Sequence, residues 1–374
     1  MTKENIIRQH KHPRKGRYHT LLMVALSGVG AVWLTKKFGW IYLLQRKAMK
    51  TMSQFRYLTL IFSIFLLAPA IANGQGKMPV WIDTDPACGL RATDDVDDCW
   101  AILYAIKSRK LEIVGLSTVY GNVSINDAHR TANSFLERIA SEGMEVPNIY
   151  RGAGSEINGE VADNAATTAL YNVLRKRKLT ILALGPLTNI AKLIRAHPDI
   201  ARNITGIIAI AGNRPDQRRF FIGNSKIMHF HDLNFRKDPK AFDVILKSKV
   251  PLTLLPFEVA TKVIVAPDDL KRMGNNGESA KWLSANSRGW IDFWIKQFET
   301  EGFYPFDCLA VGYQIMPHEF QCEDIPAQIK WRRSRFVNRS ELQVSHDLET
   351  DTRVSYCYDV SEAFKKSLQV LQPY

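Results

Sequence analysis

The stretch Asp83-Thr84-Asp85-Pro86, with Asp94-Asp95-Val96-Asp97-Asp98 one short loop later, decides the fold of this chain. Ahead of it, Val80–Thr84 is a short apolar run of the kind that forms a buried strand, and behind it Val96–Ser108 carries apolar residues at helical spacing. The alternation continues outward. Leu111–Val119 is a predicted strand and Ile125–Ser141 a predicted helix; Leu179–Leu184, Thr188–Ala196 and Ile204–Ile210 follow as strand, helix and strand, and Pro239–Lys247 with Val250–Pro256 adds a helix and a strand. Strands that alternate with helices of about 10 to 15 residues build parallel βαβ units. The predicted fold is therefore α/β, an open, mostly parallel sheet with helices on both faces.

Ligands of such sheets bind outside the carboxyl ends of the strands, and the acids stand there. Six carboxylates fall within the 16 residues from Asp83 to Asp98. Left alone they repel one another. Acids at a helix N-terminus are favourable against the helix dipole, which accounts for two or three of the six but not for Asp83 and Asp85 on the preceding strand. A hard divalent cation with oxygen ligands, Ca²⁺ or Mg²⁺, accounts for the whole set, and no His or Cys pair here has zinc-like spacing.

The 374 residues carry a formal charge of +13, which would suggest a nucleic-acid or membrane partner if it were spread over a folded surface. It is not. Residues 1–72 hold twelve of the 50 Lys and Arg and one acid, Glu4, leaving 38 basic and 36 acidic residues for the remainder. Within this leader, Thr20–Leu34 is uncharged but too short to cross a bilayer as a helix, which takes about 20 residues. Tyr57–Ala72 follows Lys47, Lys50 and Arg56 and ends in Ala70-Ile71-Ala72, the three parts of a secretory signal peptide. The expected organisation is a basic leader over 1–48 with an over-extended start, a signal peptide and joint over 49–76, and one folded domain over 77–374 that carries the acidic strand end. The expected location is periplasmic or secreted; the alternative is a membrane anchor formed by an uncleaved leader. Five cysteines are too few and too scattered for a disulfide scaffold. Cys88 and Cys99 bracket the acidic loop, and two readings are open for them: a bridge that stiffens the loop, or two buried thiols.

From Pro79 to the C-terminal helix the sequence resembles the inosine-uridine-preferring nucleoside hydrolases. Their signature is a strand ending in D-x-D-P-G and a helix opening with D-D-x-x-A; here these are Asp83-Thr84-Asp85-Pro86 and Asp97-Asp98-Cys99-Trp100-Ala101, with about eight extra residues between them. Val119-Tyr120-Gly121-Asn122 is similar to the family's V-x-G-N, and Gly185-Pro186-Leu187-Thr188-Asn189 to its G-P-L-T-N turn. Asp232-Leu233-Asn234 with Asp238-Pro239 resembles E-F-N-x-x-x-D-P with Asp for Glu, and Phe306-Asp307-Cys308-Leu309-Ala310 stands where the family has H-D-P-x-A.

The resemblance implies calcium-dependent hydrolysis of the N-glycosidic bond of ribonucleosides to ribose and free base. It implies that Asp85, Asp98 and Asp307 ligate Ca²⁺ by side chains and Thr188 by its carbonyl, with Asp85 also the catalytic base. Asp97, Asn122 and Asn234 would bind the ribose hydroxyls, and Asp232 and Asn224 the 5′-hydroxyl. A small-molecule ribonucleoside, no nucleic acid and a homo-oligomeric assembly are the implied partners. This division of labour suits the chemistry, because glycosidic cleavage develops positive charge on the sugar that carboxylates stabilise.

Phe306 is a departure that bears on mechanism, since the family's purine-active members use a His there to protonate the departing base. Either another acid activates the leaving group, with His229, His231 and Tyr304 the candidates, or the substrate tolerates its absence. Trp282, Trp290, Phe293, Trp294 and Phe298 recur at near-helical spacing over Ser279–Phe298, which is the pattern of a core face and also of a stacking surface for a nucleobase. Two other functions compete. A haloacid-dehalogenase-type phosphotransferase shares D-x-D but has no place for G-P-L-T-N, and a non-catalytic nucleoside- or sugar-binding protein would have little need of the retained Asp85, Asp98 and Asp307.

Overall fold

In the computed structural model, described here over residues 76–371 apart from 158, 160–162, 213–219, 222–228 and 334–337, the acidic run leaves the end of a central strand. That strand is β1 (Met78–Thr84), followed by α1 (Asp97–Lys107), β2 (Leu111–Thr118), α2 (Ile125–Ser141) and β3 (Ile149–Arg151). Next come α3 (Ala165–Leu174), β4 (Leu179–Ala183), α4 (Thr188–Ala196), a 3₁₀ turn (Pro198–Asn203) and β5 (Ile204–Ala209). A two-stranded ribbon of β6 (Phe220–Phe221) and β7 (His229–Phe230) precedes α5 (Leu233–Lys237), α6 (Pro239–Ser248), β8 (Leu252–Leu254) and α7 (Phe257–Ala260). The chain closes with α8 (Pro267–Gly274), α9 (Glu278–Asn286), α10 (Arg288–Phe298), α11 (Phe306–Ile315), β9 (Phe320–Arg333), β10 (Asn338–Val344), β11 (Arg353–Val360) and α12 (Glu362–Gln369). The leader and signal-peptide expectations fall on residues outside the described range. Among the described residues no helix is long and apolar enough to cross a membrane.

Nine strands form one open sheet in the order β10-β9-β11-β8-β5-β4-β1-β2-β3. From β3 to β11 the neighbours are parallel, and β9 is antiparallel to both β11 and β10. The period-2 alternation of each strand sorts its side chains between two cores. Val80 and Ile82 face one core with Trp100 of α1, Phe135 of α2, Trp294 of α10 and Leu309 of α11. Trp81 faces the other, with Leu170 of α3, Ile190 of α4 and Phe242 of α6. Full burial of one such side chain contributes about 1.5–3 kcal/mol, so two covered faces hold the central strands firmly.

Chain progression sets the place of the site. From β1 the chain steps to β2 and β3 in one direction, and from β4 to β5 and β8 in the other. β1 and β4 are adjacent, in register through Ile82↔Leu182 and Asp83↔Ala183. A crevice opens at such a reversal, outside the carboxyl ends of the two strands.

The predicted helices Ile125–Ser141 and Thr188–Ala196 have those bounds in the structure. The long aromatic segment Ser279–Phe298 instead divides at Ser287. Its hydroxyl donates back to Leu283 O (2.7 Å) while accepting from Trp100 Nε1 (3.0 Å), a side-chain bond that competes with continued helix. Of the two readings for Cys88 and Cys99, the structure has the bridge. A second bridge joins Cys322 and Cys357 on neighbouring strands, and Cys308 is a buried thiol.

Candidate active site

Beneath the crevice, Asp83 at the end of β1 ties three strands together. Its Oδ1 accepts from Ser117 Oγ of β2 and from Asn189 Nδ2 of α4 (2.8 Å), and Asn189 in turn accepts from Ala153 N (2.8 Å) just beyond β3. The other oxygen, Oδ2, is buried without a hydrogen-bond partner. Burial pushes the Asp83 pKa up to about 7 against the bonds from Ser117 and Asn189.

Above this node the carboxylates gather. α1 and α11 both point their N-termini at the crevice, which places Asp97, Asp98 and Asp307 in first turns where the helix dipole favours negative charge. One ligand atom from each of the three lies within 4.8 Å of the others, and all three are buried. Asp98 is oriented by three donors: Thr84 Oγ1, Asp85 N (3.0 Å) and Asn122 Nδ2 (3.2 Å). Asp85 accepts from Asn122 N at 2.7 Å, so the strand ends of β1 and β2 hold each other's acids. Space for the Asp85 carboxylate exists only because two neighbours are glycines. A Cβ on Gly121 would fall on Asp85 Oδ2, and one on Gly185 would stand 2.7 Å from Oδ1.

Burial, followed by repulsion from Asp98, raises the Asp85 pKa well above the carboxylate range; burial and the neighbouring acids do the same for Asp97 and Asp307. Asp98, better supplied with donors, is pushed up to about 6. The largest charge effects on these groups come from other carboxylates. A set of buried oxygen donors that raise one another's pKa, plus the orphaned Asp83 Oδ2, fits a hard divalent cation.

Beside the acids lies a cavity of about 260 Å³. Asp95, Asp97, Asn122 and Asp307 line one wall, Asp232 and Asn234 another, and Phe257, Trp290, Phe293, Trp294, Phe298 and Phe306 an aromatic third. Asp232 caps α5 by accepting from Phe235 N (3.0 Å) and also from Gly212 N (2.6 Å), and desolvation lifts its pKa to about 6. Asn234 Nδ2 donates to Leu184 O (2.7 Å) and Ile210 O (3.0 Å), joining the ends of β4 and β5. A larger groove of about 590 Å³, lined by residues such as Tyr150, Asn172 and Lys176, contains no acid and lies away from this chemistry.

Of the expected cation ligands Asp98 and Asp307 come together, and among the described residues their third partner is Asp97, expected at the ribose, and not Asp85. The tightest trio is Asp97, Asp98 and Asp307, with Asp85 joined to Asp98 through its backbone N–H. Thr188 is buried at the start of α4, and its hydroxyl donates to Asp238 Oδ2 (2.7 Å). Asn224 lies outside the described residues, as does the side chain of His229. His231 lines the cavity, whereas Tyr304 packs edge-on against Phe257, Trp294 and Phe306, with its hydroxyl pKa raised by burial. Trp282 belongs to the core against Phe135, and the other four aromatics of its stripe line the cavity. Thr84, Leu255 and Phe257 were not singled out from the sequence. Applying the strand-end rule to β8 as well as to β1 would have pointed to Leu255 and Phe257.

Residues 80–366 match the family model described as inosine-uridine preferring nucleoside hydrolase. Uridine nucleosidase 1 of Arabidopsis thaliana is 31% identical, the match covering 67% of this chain and 78% of that protein. Among solved structures, a purine-preferring ribonucleoside hydrolase from Gardnerella vaginalis superposes with a TM-score of 0.65 at 20% identity, over 78% of this chain and 97% of that one. A plant nucleoside hydrolase does so with a TM-score of 0.62 at 21% identity, over 79% and 98%. The acidic strand-end cluster, the nine-stranded sheet and these likenesses agree: the chain belongs to the inosine-uridine preferring nucleoside hydrolase family and is a hydrolase of N-glycosyl bonds.

Proposed function

We propose that this chain cleaves ribonucleosides to ribose and free base with the help of Ca²⁺, and that Asp85, Asp98 and Asp307 hold the cation by side chains and Thr188 by its carbonyl. The observation that carries the reading is the convergence of Asp97, Asp98 and Asp307 within 4.8 Å, all three buried and raised in pKa by burial and by one another or neighbouring acids. When bound, a divalent cation supplies the positive charge that keeps these groups ionised and lowers the pKa of water.

Asp85, fixed by Asn122 N and crowded between Gly121 and Gly185, is the base that takes a proton from the attacking water. Asp97, Asn122 and Asn234 grip the ribose hydroxyls, while Asp232 and Asn224 take the 5′-hydroxyl; a carboxylate has about four acceptor sites, so Asp232 keeps capacity beyond the backbone donors Gly212, Asn234 and Phe235. The ring of acids stabilises the positive charge that develops on the sugar. The base lies against the aromatic wall. Its departure needs a proton that Phe306 cannot give, and His231 on the cavity rim supplies it, Tyr304 being withdrawn into the aromatic cluster. Export through the segment 49–76, release of a domain over 77–374 and assembly of that domain with copies of itself belong to the same proposal.

Reducing-sugar release from inosine, uridine, cytidine and adenosine, with and without a chelator, tests it. Ribose release abolished by chelation and restored by Ca²⁺ is the expected result. Binding with no product under any condition would favour a nucleoside receptor instead.

A further inference from the structure

On the reading that a divalent cation sits among Asp85, Asp98 and Asp307, we propose that the Cys88–Cys99 disulfide is a positioning device that presets the cation site. Cys88 comes three residues after Asp85, and Cys99 directly follows Asp98. The bridge therefore closes residues 88–99 into a ring whose two ends carry the two halves of the acid set. Both half-cystines are buried, at 3% and 0% exposure, and their Cα atoms are 6.4 Å apart, within the ordinary span of a disulfide.

The ring encloses the extra residues between the two signature halves, and it is seated on both flanks. Gly89, in a left-handed conformation (φ +79°), lies so close to the Trp282 ring of α9 that a Cβ would stand 2.8 Å from it. On the other flank the carbonyl of Ala92 meets Gly289 of α10. Inside the ring Asp95 reaches the cavity wall and accepts from Asp97 N at 3.2 Å. Without a covalent tie, an insertion of this length lets mutually repelling carboxylates drift apart before a cation arrives. Cross-linking removes that freedom in advance, so less ordering is left for the binding step.

Hydrogen bonds from Thr84, Asp85 and Asn122 to Asp98 offer a competing account in which they alone hold the acids and the bridge adds only stability. The Cys322–Cys357 bridge, between β9 and β11, is the internal control. Ca²⁺ affinity is measured by calorimetric titration in the wild type, in Cys88→Ser, and in Cys322→Ser/Cys357→Ser before and after treatment with a dithiol. In the last arm the dithiol is oxidised to its cyclic disulfide, and two electrons and two protons convert Cys88–Cys99 to two thiols. The expected result is a rise in Kd of about 10- to 100-fold in Cys88→Ser and in the reduced control, the range for loss of groups that orient metal ligands. The oxidised Cys322→Ser/Cys357→Ser protein keeps the wild-type Kd and loses only thermal stability. Unchanged Kd in both Cys88→Ser and the reduced control overturns the proposal while leaving the cation reading intact. A wild type that binds no Ca²⁺ overturns both.

Discussion

The backbone N–H of Asp307, at the start of α11, points to Asp97 Oδ2 at the start of α1 across 3.4 Å, although 210 residues separate the two in the chain. Two helix N-termini thus face each other over one cluster of acids. Asp307→Asn keeps the shape of the side chain and removes its charge. Ca²⁺ affinity is expected to fall by more than about 100-fold, beyond the loss typical of outer-shell changes. In chelator the same variant melts higher than wild type, because one source of repulsion is gone. Calorimetric titration and scanning calorimetry check the pair of effects; normal affinity with a lowered Tm would take Asp307 out of the cation centre.

Gly121→Ala places a methyl where the Asp85 carboxylate now sits. Since Asp85 carries the base role, kcat/KM on a reactive nucleoside is expected to drop by at least about 10²-fold, the lower end of what a positioned base contributes. Circular dichroism should be unaltered, the position lying in a loop at the end of β2. Full activity in Gly121→Ala would separate Asp85 from the chemistry.

Acidification has opposite effects with and without cation. In chelator, Asp83 and Asp98 hold protons in the folded state up to pH about 7 and about 6, whereas in the unfolded chain they release them near 3.8. The folded state thus binds more protons throughout that window, and stability rises as pH falls from about 7 toward 4. Ca²⁺ requires the ionised acids, so its affinity falls over the same range and its stabilising effect with it. Melting curves from pH 7.5 to 4.5 with Ca²⁺ and with chelator should converge at the acid end; parallel curves would sink this account.

His231→Ala should divide substrates by leaving group. Natural nucleosides, whose base leaves poorly unless protonated, are expected to lose about 10²–10⁴-fold in kcat. A 4-nitrophenyl riboside, whose phenolate departs unaided, should lose less than about tenfold. Equal losses on both would mean that His231 maintains the shape of the rim and delivers no proton.

Much of this protein is visible in its amino-acid order because strands and helices are local patterns. Val80–Thr84, Ile125–Ser141 and Thr188–Ala196 show their periods within a single window, and Asp83, Asp85, Asp97 and Asp98 stand at predicted strand and helix ends. The G-P-L-T-N turn, Gly185–Asn189, announces the second half of the crevice in the same local way. The break at Ser287 was hidden, because it depends on a bond to Trp100, 187 residues distant.

By itself, then, the sequence determined the α/β class, the acidic strand end and the family, all of which follow from short-range periodicity and contiguous motifs. Tertiary structure alone decided that Asp97 is the third member of the trio with Asp98 and Asp307, which of the two readings open for Cys88 and Cys99 holds, and that Phe257 and Phe306 pack together beside the acids. These are contacts between distant segments, and their geometry depends on which strand lies beside which and on how helices pack over both faces of the sheet. No local period encodes that arrangement; burial of the two cores selects it.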